Sequence, residues 1–271
     1  MAIAIPTGLT DAQRTAFDRD GFLILRGALS PGEVERLDLA AERVWWQHRN
    51  APPRRGAEAL HLLAFVGADE AFLSLLDHPV TLPAVVDLLG WNIFMHHCHL
   101  DIHPPEPPEA EPRWMWHQDG GRQNLELETD PRPRMSVKVA YFLSDCSEPG
   151  RGNFRVIPGS HGRNTLPRPS EGGTADPPGA VPILALPGDA VLFDRRLWHM
   201  RSRNLSDLTL RALFTAYTYR WVRPRDELHV RPELLASLTP VQAQLLGAGT
   251  GPIGHWLPGD RDAPLRTAFM R

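Results

Sequence analysis

The sequence predicts a mainly β domain with helices packed on it, either a sandwich of two sheets or a closed barrel. Three observations support this prediction. Apolar residues near the N-terminus recur at helical spacing, whereas the residues after Asn92 form short runs rich in β-branched and aromatic side chains. Glycine, proline and aspartate separate these runs as turn residues do.

The N-terminal part, about residues 1–90, is predicted to hold several helices and one strand. Thr10 and Ser30 are of the residue type that caps helix N-termini, and a proline follows Ser30 at the first helical position. Between these two helices, residues 20–26 have the composition of a short strand entered through a glycine turn. Further helices are predicted over residues 70–76 and 79–89.

The β core is predicted over about residues 91–222, and a C-terminal extension with short helices over about 223–271. We expect the whole chain, residues 1–271, to form a single domain. Each core strand is a short apolar run bounded by turn residues. Strands are predicted over 93–102, 113–119, 135–143, 154–157, 181–184, 190–193 and 210–219.

Composition and charge exclude several classes of protein. The formal net charge of −3 predicts neither a nucleic acid nor a membrane surface as partner. No apolar run approaches the ~18 residues of a membrane span. The two cysteines, Cys98 and Cys146, have no paired spacing and cannot form a disulfide framework. We therefore expect a cytoplasmic protein of a reducing compartment.

Two histidines and one aspartate are candidate metal ligands. His117 and Asp119 are two residues apart in a segment predicted to be extended, so their side chains point to the same side. His199 lies at the end of a later apolar run. Two imidazoles and one carboxylate form the facial triad of non-haem Fe(II) oxygenases, which leaves positions open for a 2-oxo acid and O₂. An arginine on a nearby strand, such as Arg211, would bind the far carboxylate of 2-oxoglutarate.

The order of these motifs resembles the phytanoyl-CoA dioxygenase family. The resemblance is carried by His117-x-Asp119, the stretches 152–161 and 188–193, His199 and Arg211. It implies a double-stranded β-helix (jelly-roll) core and the cofactors Fe(II), 2-oxoglutarate and O₂. It also implies that His117, Asp119 and His199 are the catalytic metal ligands and that Arg211 binds 2-oxoglutarate.

The activity implied by this resemblance is that of a 2-oxoglutarate-dependent dioxygenase. Such an enzyme hydroxylates, or otherwise oxidises, an unactivated C–H bond of a small molecule and releases succinate and CO₂. A natural-product intermediate or an acyl thioester would suit as substrate. A different class of protein stays open as an alternative, a non-catalytic jelly-roll protein that binds a metal or ligand. Its metal would have a closed coordination sphere.

His99 is a further candidate for cofactor binding, because in the family the corresponding strand lines the cofactor pocket. A hydrogen bond from His99 to 2-oxoglutarate competes with a purely structural strand histidine. The histidines crowded on this strand also raise the question of a second metal site. Alternation places His97, His99, Asp101 and His103 on one face of the strand, opposite His96 and Cys98.

Lys138 is the only lysine of the chain and lies in an otherwise apolar run, residues 136–142. In the family, this strand also lines the cofactor pocket, so its ammonium could meet a carboxylate of 2-oxoglutarate. The alternative is a lysine on the solvent face of an edge strand, where it discourages aggregation.

The sequence departs from the family after the distal histidine. Arg201 occupies a position where the family usually has serine, and one extra residue precedes Arg211. Arg201 or Arg203 are therefore alternatives to Arg211 for the 2-oxoglutarate carboxylate.

Overall fold

Two antiparallel sheets form the centre of the protein, as a computed structural model shows for residues 8–51, 58–170, 173–249 and 253–269. The strands are β1 (Phe22–Leu25), β2 (Leu60–Leu63), β3 (Ile93–His103), β4 (Ser136–Phe142), β5 (Phe154–Val156), β6 (Val181–Pro182), β7 (Ala190–Asp194), β8 (His199–Arg201) and β9 (Leu210–Tyr219). The larger sheet has the order β1-β7-β4-β9-β3-β2, and the smaller has the order β6-β5-β8. The predicted mainly β fold with flanking helices is confirmed.

The helices lie mainly at the two ends of the chain and use ordinary caps. They are α1 (Asp11–Asp20), α2 (Pro31–Asn50), α3 (Leu82–Leu89), α4 (Arg122–Glu126), α5 (Pro232–Leu235), α6 (Pro240–Leu245), α7 (Ile253–Trp256) and α8 (Pro264–Phe269), with 3₁₀ turns at Phe65–Gly67, Glu70–Leu75 and Ser160–Gly162. The predicted caps Thr10 and Ser30 are confirmed. The Ser30 N–H donates to Glu33 (2.8 Å), and the Glu33 N–H donates back to the Ser30 hydroxyl.

Apolar side chains cover both faces of the larger sheet. On the outer face, Leu37 and Val44 of α2 belong to the same buried cluster as Val139 of β4 and Leu213 of β9. On the inner face, a second cluster joins the two sheets. It contains Ala140, Phe142, Phe154, Val156, Val191, Phe193, Ala212 and Phe214. Because side chains alternate along a strand, β4, β7 and β9 contribute to both clusters.

A β-bulge between Met95 and His97 changes the alternation of β3. Before the bulge, Ile93 and Met95 pack in the outer cluster. After it, Cys98, Leu100 and Ile102 take over that face. The extra residue thus turns His97, His99, Asp101 and His103 towards the inner face of the sheet.

The structure differs from the sequence predictions in three places. The predicted strand 113–119 is reduced to an isolated bridge at His117, because the chain around it lacks a continuous strand partner. Helix α4 was not predicted. The N-terminal part, predicted to hold one strand, supplies two strands of the larger sheet: β1 is the predicted strand, and β2 was not predicted. The division into a single domain stays a prediction.

Within the described ranges, no helix has both the length and the apolarity needed to cross a membrane.

We expect Ser30→Ala to lower the free energy of unfolding by about 1 kcal/mol, because it removes the reciprocal cap of α2. The control is Ser74→Ala, since Ser74 is exposed and its hydroxyl donates only to the Ala71 carbonyl. That variant should stay within ~0.5 kcal/mol of wild type. Urea denaturation measures both. Equal losses in the two variants would contradict a special role for the cap.

Candidate metal centre

The backbones of His117 and His199 pair directly with each other. Each N–H donates to the carbonyl of the other residue, at 3.0 Å in both directions, and the two imidazole rings lie 4.3 Å apart. His199 begins β8, whereas His117 comes from a segment without continuous strand structure. The N–H of Asp119 donates to the Arg195 carbonyl at 2.8 Å. These backbone contacts bring the three predicted ligands together.

The ring nitrogens of both histidines have defined roles. Nδ1 of His117 donates to the Met115 carbonyl and Nδ1 of His199 donates to the Leu197 carbonyl, both at 2.8 Å. The proton on Nδ1 leaves the lone pair of each Nε2 atom free. Each Nε2 lies 3.9 Å from a carboxylate oxygen of Asp119. All three ligand atoms are within 4.8 Å of one another.

A tight turn follows Asp119 and depends on glycine. Gly120 has φ = +91°, and a Cβ atom there would collide with the guanidinium of Arg195. The backbone carbonyl of Arg195 accepts a hydrogen bond from the Asp119 N–H, and its guanidinium donates one to the side chain of Gln123 on α4. The turn and α4 therefore fix the direction in which Asp119 points.

Lys138 lies beside this cluster and compensates the charge of Asp119. Its Nζ is 2.9 Å from Asp119 Oδ2 and 5.5 Å from the ring centres of Phe193 and Phe214. Burial raises the pKa of Asp119, but Lys138 and the two imidazoles outweigh burial and hold that pKa far below its usual range. Burial lowers the pKa of His199 to about 3. At neutral pH, Asp119 is therefore ionised and His199 is neutral, as metal binding requires.

The alternative that Lys138 lies on the solvent face of an edge strand is wrong. β4 is paired on both sides, by β7 and β9, and Lys138 is only 4% exposed. Its side chain shares the inner face with Ala140 and Phe142. Binding of 2-oxoglutarate by Lys138 stays a prediction.

The structure does not bring Arg211 to the cluster, so its expected role is corrected. Its guanidinium binds the carboxylate of Asp38 on α2, at 2.8 and 2.9 Å. Its neighbours in β9, Ala212 and Phe214, face inward, whereas Leu213 packs in the outer cluster with α2. The reason is strand alternation, since a shift of one residue moves a side chain to the opposite face.

Of the two alternatives to Arg211, Arg201 is on the inner side. It is two residues after His199 in β8 and pairs with Phe154 of β5, which belongs to the inner cluster. Its Nη1 is 2.8 Å from Glu106. Arg203 binds the same carboxylate at 3.5 Å and the Pro107 carbonyl. Sequence reasoning did not find Glu106, because its loop gave no strand or spacing signal.

His99 lies on the inner face, but its proton is engaged elsewhere. Its ring stacks on Phe214 with centres 4.3 Å apart, and its Nδ1 contacts Nε2 of His97 at 3.1 Å. Nδ1 of His97 in turn donates to the carboxylate of Asp226 at 2.8 Å. His97 Nε2 is then an acceptor, so His99 Nδ1 carries the proton and His99 Nε2 does not. The expected hydrogen bond from His99 to 2-oxoglutarate is not available in this tautomer, because a carboxylate only accepts.

The three predicted ligands suit Fe(II). Two imidazole Nε2 atoms and one carboxylate lie together, and the group comprises three side chains among the described residues. A divalent ion bound by three protein atoms keeps coordination positions for a co-substrate. The arrangement does not provide the closed sphere that the non-catalytic alternative requires.

Comparisons with known proteins agree with this chemistry. The family model "Phytanoyl-CoA dioxygenase (PhyH)" matches residues 17–212. "Dioxygenase trt7" of Aspergillus terreus is 25% identical, covering 89% of this chain and 86% of that protein. "Ectoine dioxygenase" of Bordetella parapertussis is 24% identical, covering 84% and 82%. The crystal structure of HygX from Streptomyces hygroscopicus, with nickel and 2-oxoglutarate bound, has a TM-score of 0.65 and 21% identity, covering 84% and 94%.

The likeness to HygX concerns the fold, and with the two antiparallel sheets it confirms the predicted jelly-roll core. The family model covers most of the chain, from before β1 into β9. The predicted enzyme class and cofactors are confirmed with it. The chain belongs to the phytanoyl-CoA dioxygenase family of Fe(II)- and 2-oxoglutarate-dependent dioxygenases.

Proposed function

We propose that this dioxygenase hydroxylates an unactivated C–H bond of a small molecule, with His117, Asp119 and His199 as the iron ligands. The observation that carries the proposal is the convergence of the two free Nε2 atoms and the Asp119 carboxylate within 4.8 Å. Iron, 2-oxoglutarate and O₂, when bound, supply the oxidising power for the C–H bond, and 2-oxoglutarate leaves as succinate and CO₂. The chain itself binds, orients and shields the reactants.

We assign the far carboxylate of 2-oxoglutarate to Lys138. Without a metal, the charges of Lys138 and Asp119 compensate each other at 2.9 Å. With a divalent ion held by His117, Asp119 and His199, the charge of Asp119 would be compensated by that ion, and the buried Lys138 ammonium would need another anion. A dicarboxylate co-substrate provides one. Lys138 would then be the counter-ion of the co-substrate, as it is the counter-ion of Asp119 here.

Aromatic side chains keep water away from one side of the centre. Phe154 and Phe193 each lie 5.2 Å from the His199 ring. Both are buried in the inner cluster. A dry environment strengthens the ionic contacts around Asp119 and limits side reactions of an oxidising centre. These rings hold His199 and exclude solvent, and they donate no proton.

The substrate is proposed to be a small molecule rather than a nucleic acid or a membrane surface. The formal net charge of −3 offers no general attraction to polyanions. One relative is named for ectoine, a small molecule. The cytoplasmic location stays a prediction.

The proposed function is tested by anaerobic titration of the chain with Fe(II) and 2-oxoglutarate. A chelate at the centre gives a weak visible charge-transfer band, and admission of O₂ should then yield succinate. Small-molecule substrates are afterwards screened for faster succinate formation and a hydroxylated product. A chain that binds neither iron nor 2-oxoglutarate would contradict the proposal.

We expect His117→Ala to abolish the visible band and succinate formation with little effect on folding. Loss of a residue next to a metal ligand already costs ~10–100-fold in affinity or activity, and loss of a ligand should cost more. His117 suits the test because its side chain is 53% exposed and it does not compensate Lys138. The control is His229→Ala, an exposed histidine whose side chain is 87% accessible. A normal band in His117→Ala would remove it from the ligand set.

Lys138→Met should raise the KM for 2-oxoglutarate at least ~10-fold in the iron-loaded enzyme, because hydrogen bonds to charged groups contribute ~1.5–3 kcal/mol. Arg211→Leu is the matched control. It breaks the contact with Asp38 and should leave that KM unchanged. Steady-state kinetics with varied 2-oxoglutarate measures both. If only Arg211→Leu raises the KM, Arg211 binds the far carboxylate of 2-oxoglutarate after all. If only Arg201→Leu raises it, Arg201 binds that carboxylate.

A further inference from the structure

The inner face of β3 carries polar residues that the proposed function does not use. After the bulge, His97, His99 and Asp101 follow one another on this face. His61 of β2 lies directly opposite Asp101 in the strand register. Its Nδ1 is 2.6 Å from Asp101 Oδ1. A second group of possible metal ligands therefore lies on the larger sheet, apart from His117, Asp119 and His199.

Hydrogen bonds fix the proton positions in this group. The Asp226 carboxylate accepts from the Cys98 N–H at 3.0 Å and from His97 Nδ1 at 2.8 Å. The proton on His97 Nδ1 makes His97 Nε2 the acceptor for His99 Nδ1, at 3.1 Å. His99 Nε2 is left with a lone pair. A metal-binding imidazole is oriented by the acceptor of its other ring N–H, and for His99 that acceptor is His97, which Asp226 holds in turn.

The lone pair of His99 Nε2 faces a carboxylate without a proton between them. The distance from His99 Nε2 to Asp101 Oδ2 is 3.7 Å, and the side chains of His99 and Asp101 are 10% and 16% exposed. His99 Nε2 and Asp101 Oδ2 are both acceptors in a mostly buried place, and a cation between them would compensate both. His61 adds a third donor atom, and all three ligand atoms lie within 4.8 Å of one another.

We propose that His61, His99 and Asp101 bind a second divalent transition-metal ion, for which Zn²⁺ is the probe. Two imidazoles and a carboxylate are ligands that Zn²⁺ accepts. At metal–ligand distances of about 2.0–2.2 Å, the ligand atoms of a tetrahedral site are about 3.4 Å apart, so small side-chain movements close the group around the ion. The side chain of His61 is 56% exposed, which leaves one side open to water or to a donor atom of a ligand.

The competing explanation is a cross-strand hydrogen bond between His61 and Asp101. Residues directly opposite each other on antiparallel strands often interact in this way. That explanation requires no cation and gives no role to the Asp226–His97–His99 chain. The two explanations predict different metal stoichiometries.

The test is equilibrium dialysis of the chelator-treated full chain against Zn²⁺, with metal analysis by mass spectrometry. We expect wild type to bind about two ions per chain, and His61→Gln and His117→Ala to bind about one each. The double variant should bind none. His229→Gln, an exposed histidine outside both groups, should bind as wild type does. Circular dichroism verifies that each variant is folded.

Asp226→Asn tests the proton arrangement independently. It should weaken the ion retained by His117→Ala about 10–100-fold, because the amide no longer fixes the tautomers of His97 and His99. Failure of His117→Ala to retain an ion, or the same stoichiometry in His61→Gln as in wild type, overturns the proposal. The outcome does not depend on the proposed oxygenase activity, because His117→Ala reports the second site in an inactive chain.

Discussion

Two backbone hydrogen bonds between His117 and His199 hold the metal centre together. His117 has no continuous strand around it, and β8 is only three residues long. Neither segment would place an imidazole accurately alone. The pair links them, and β8 is in turn held by β5 of the smaller sheet. The aromatic inner cluster then packs against the His199 ring. Asp119 then completes the group through its own backbone contact with Arg195.

Charge balance places a second constraint on the interior. A buried carboxylate and a buried ammonium each need a counter-charge, and removing one of them leaves the other uncompensated. Lys138 and Asp119 meet this requirement without metal. On the other face of the sheet, between β9 and α2, the half-buried side chains of Arg211 and Asp38 also pair. Lys138 and Arg211 therefore compensate carboxylates on opposite faces of the larger sheet, although their strands, β4 and β9, are adjacent.

The fold was largely predictable from the sequence because it depends on local signals. The caps Thr10 and Ser30, the turn glycines and the apolar runs of β4 and β9 each lie within a few residues of the element that they define. The three proposed metal ligands were identifiable because the spacing of His117 and Asp119, followed by the later His199, resembles a known family.

The residues that the sequence misplaced or missed have a common physical cause. Their positions depend either on which face of a strand a residue occupies or on a partner far away along the chain. Strand alternation reverses with a shift of one residue, and this shift places Arg211 beside α2. The partner of Asp101 is His61, and the pairing of β2 with β3 has no signal in either strand alone. The same holds for Asp226, which is far from His97 along the chain but bonded to it in the fold.

The bulge in β3 allows one strand to serve two purposes. Its first residues, Ile93 and Met95, pack in the outer apolar cluster against the helices. Its later residues place their imidazoles on the inner face of the sheet. A strand of unbroken alternation would drive His97, His99 and Asp101 into that apolar layer. Deletion of His96, the extra residue of the bulge, would therefore damage the fold more than the loss of any of the side chains that the bulge orients. During divergence of the sequence, insertions and deletions should be tolerated in the flanking loops long before they are tolerated at His96.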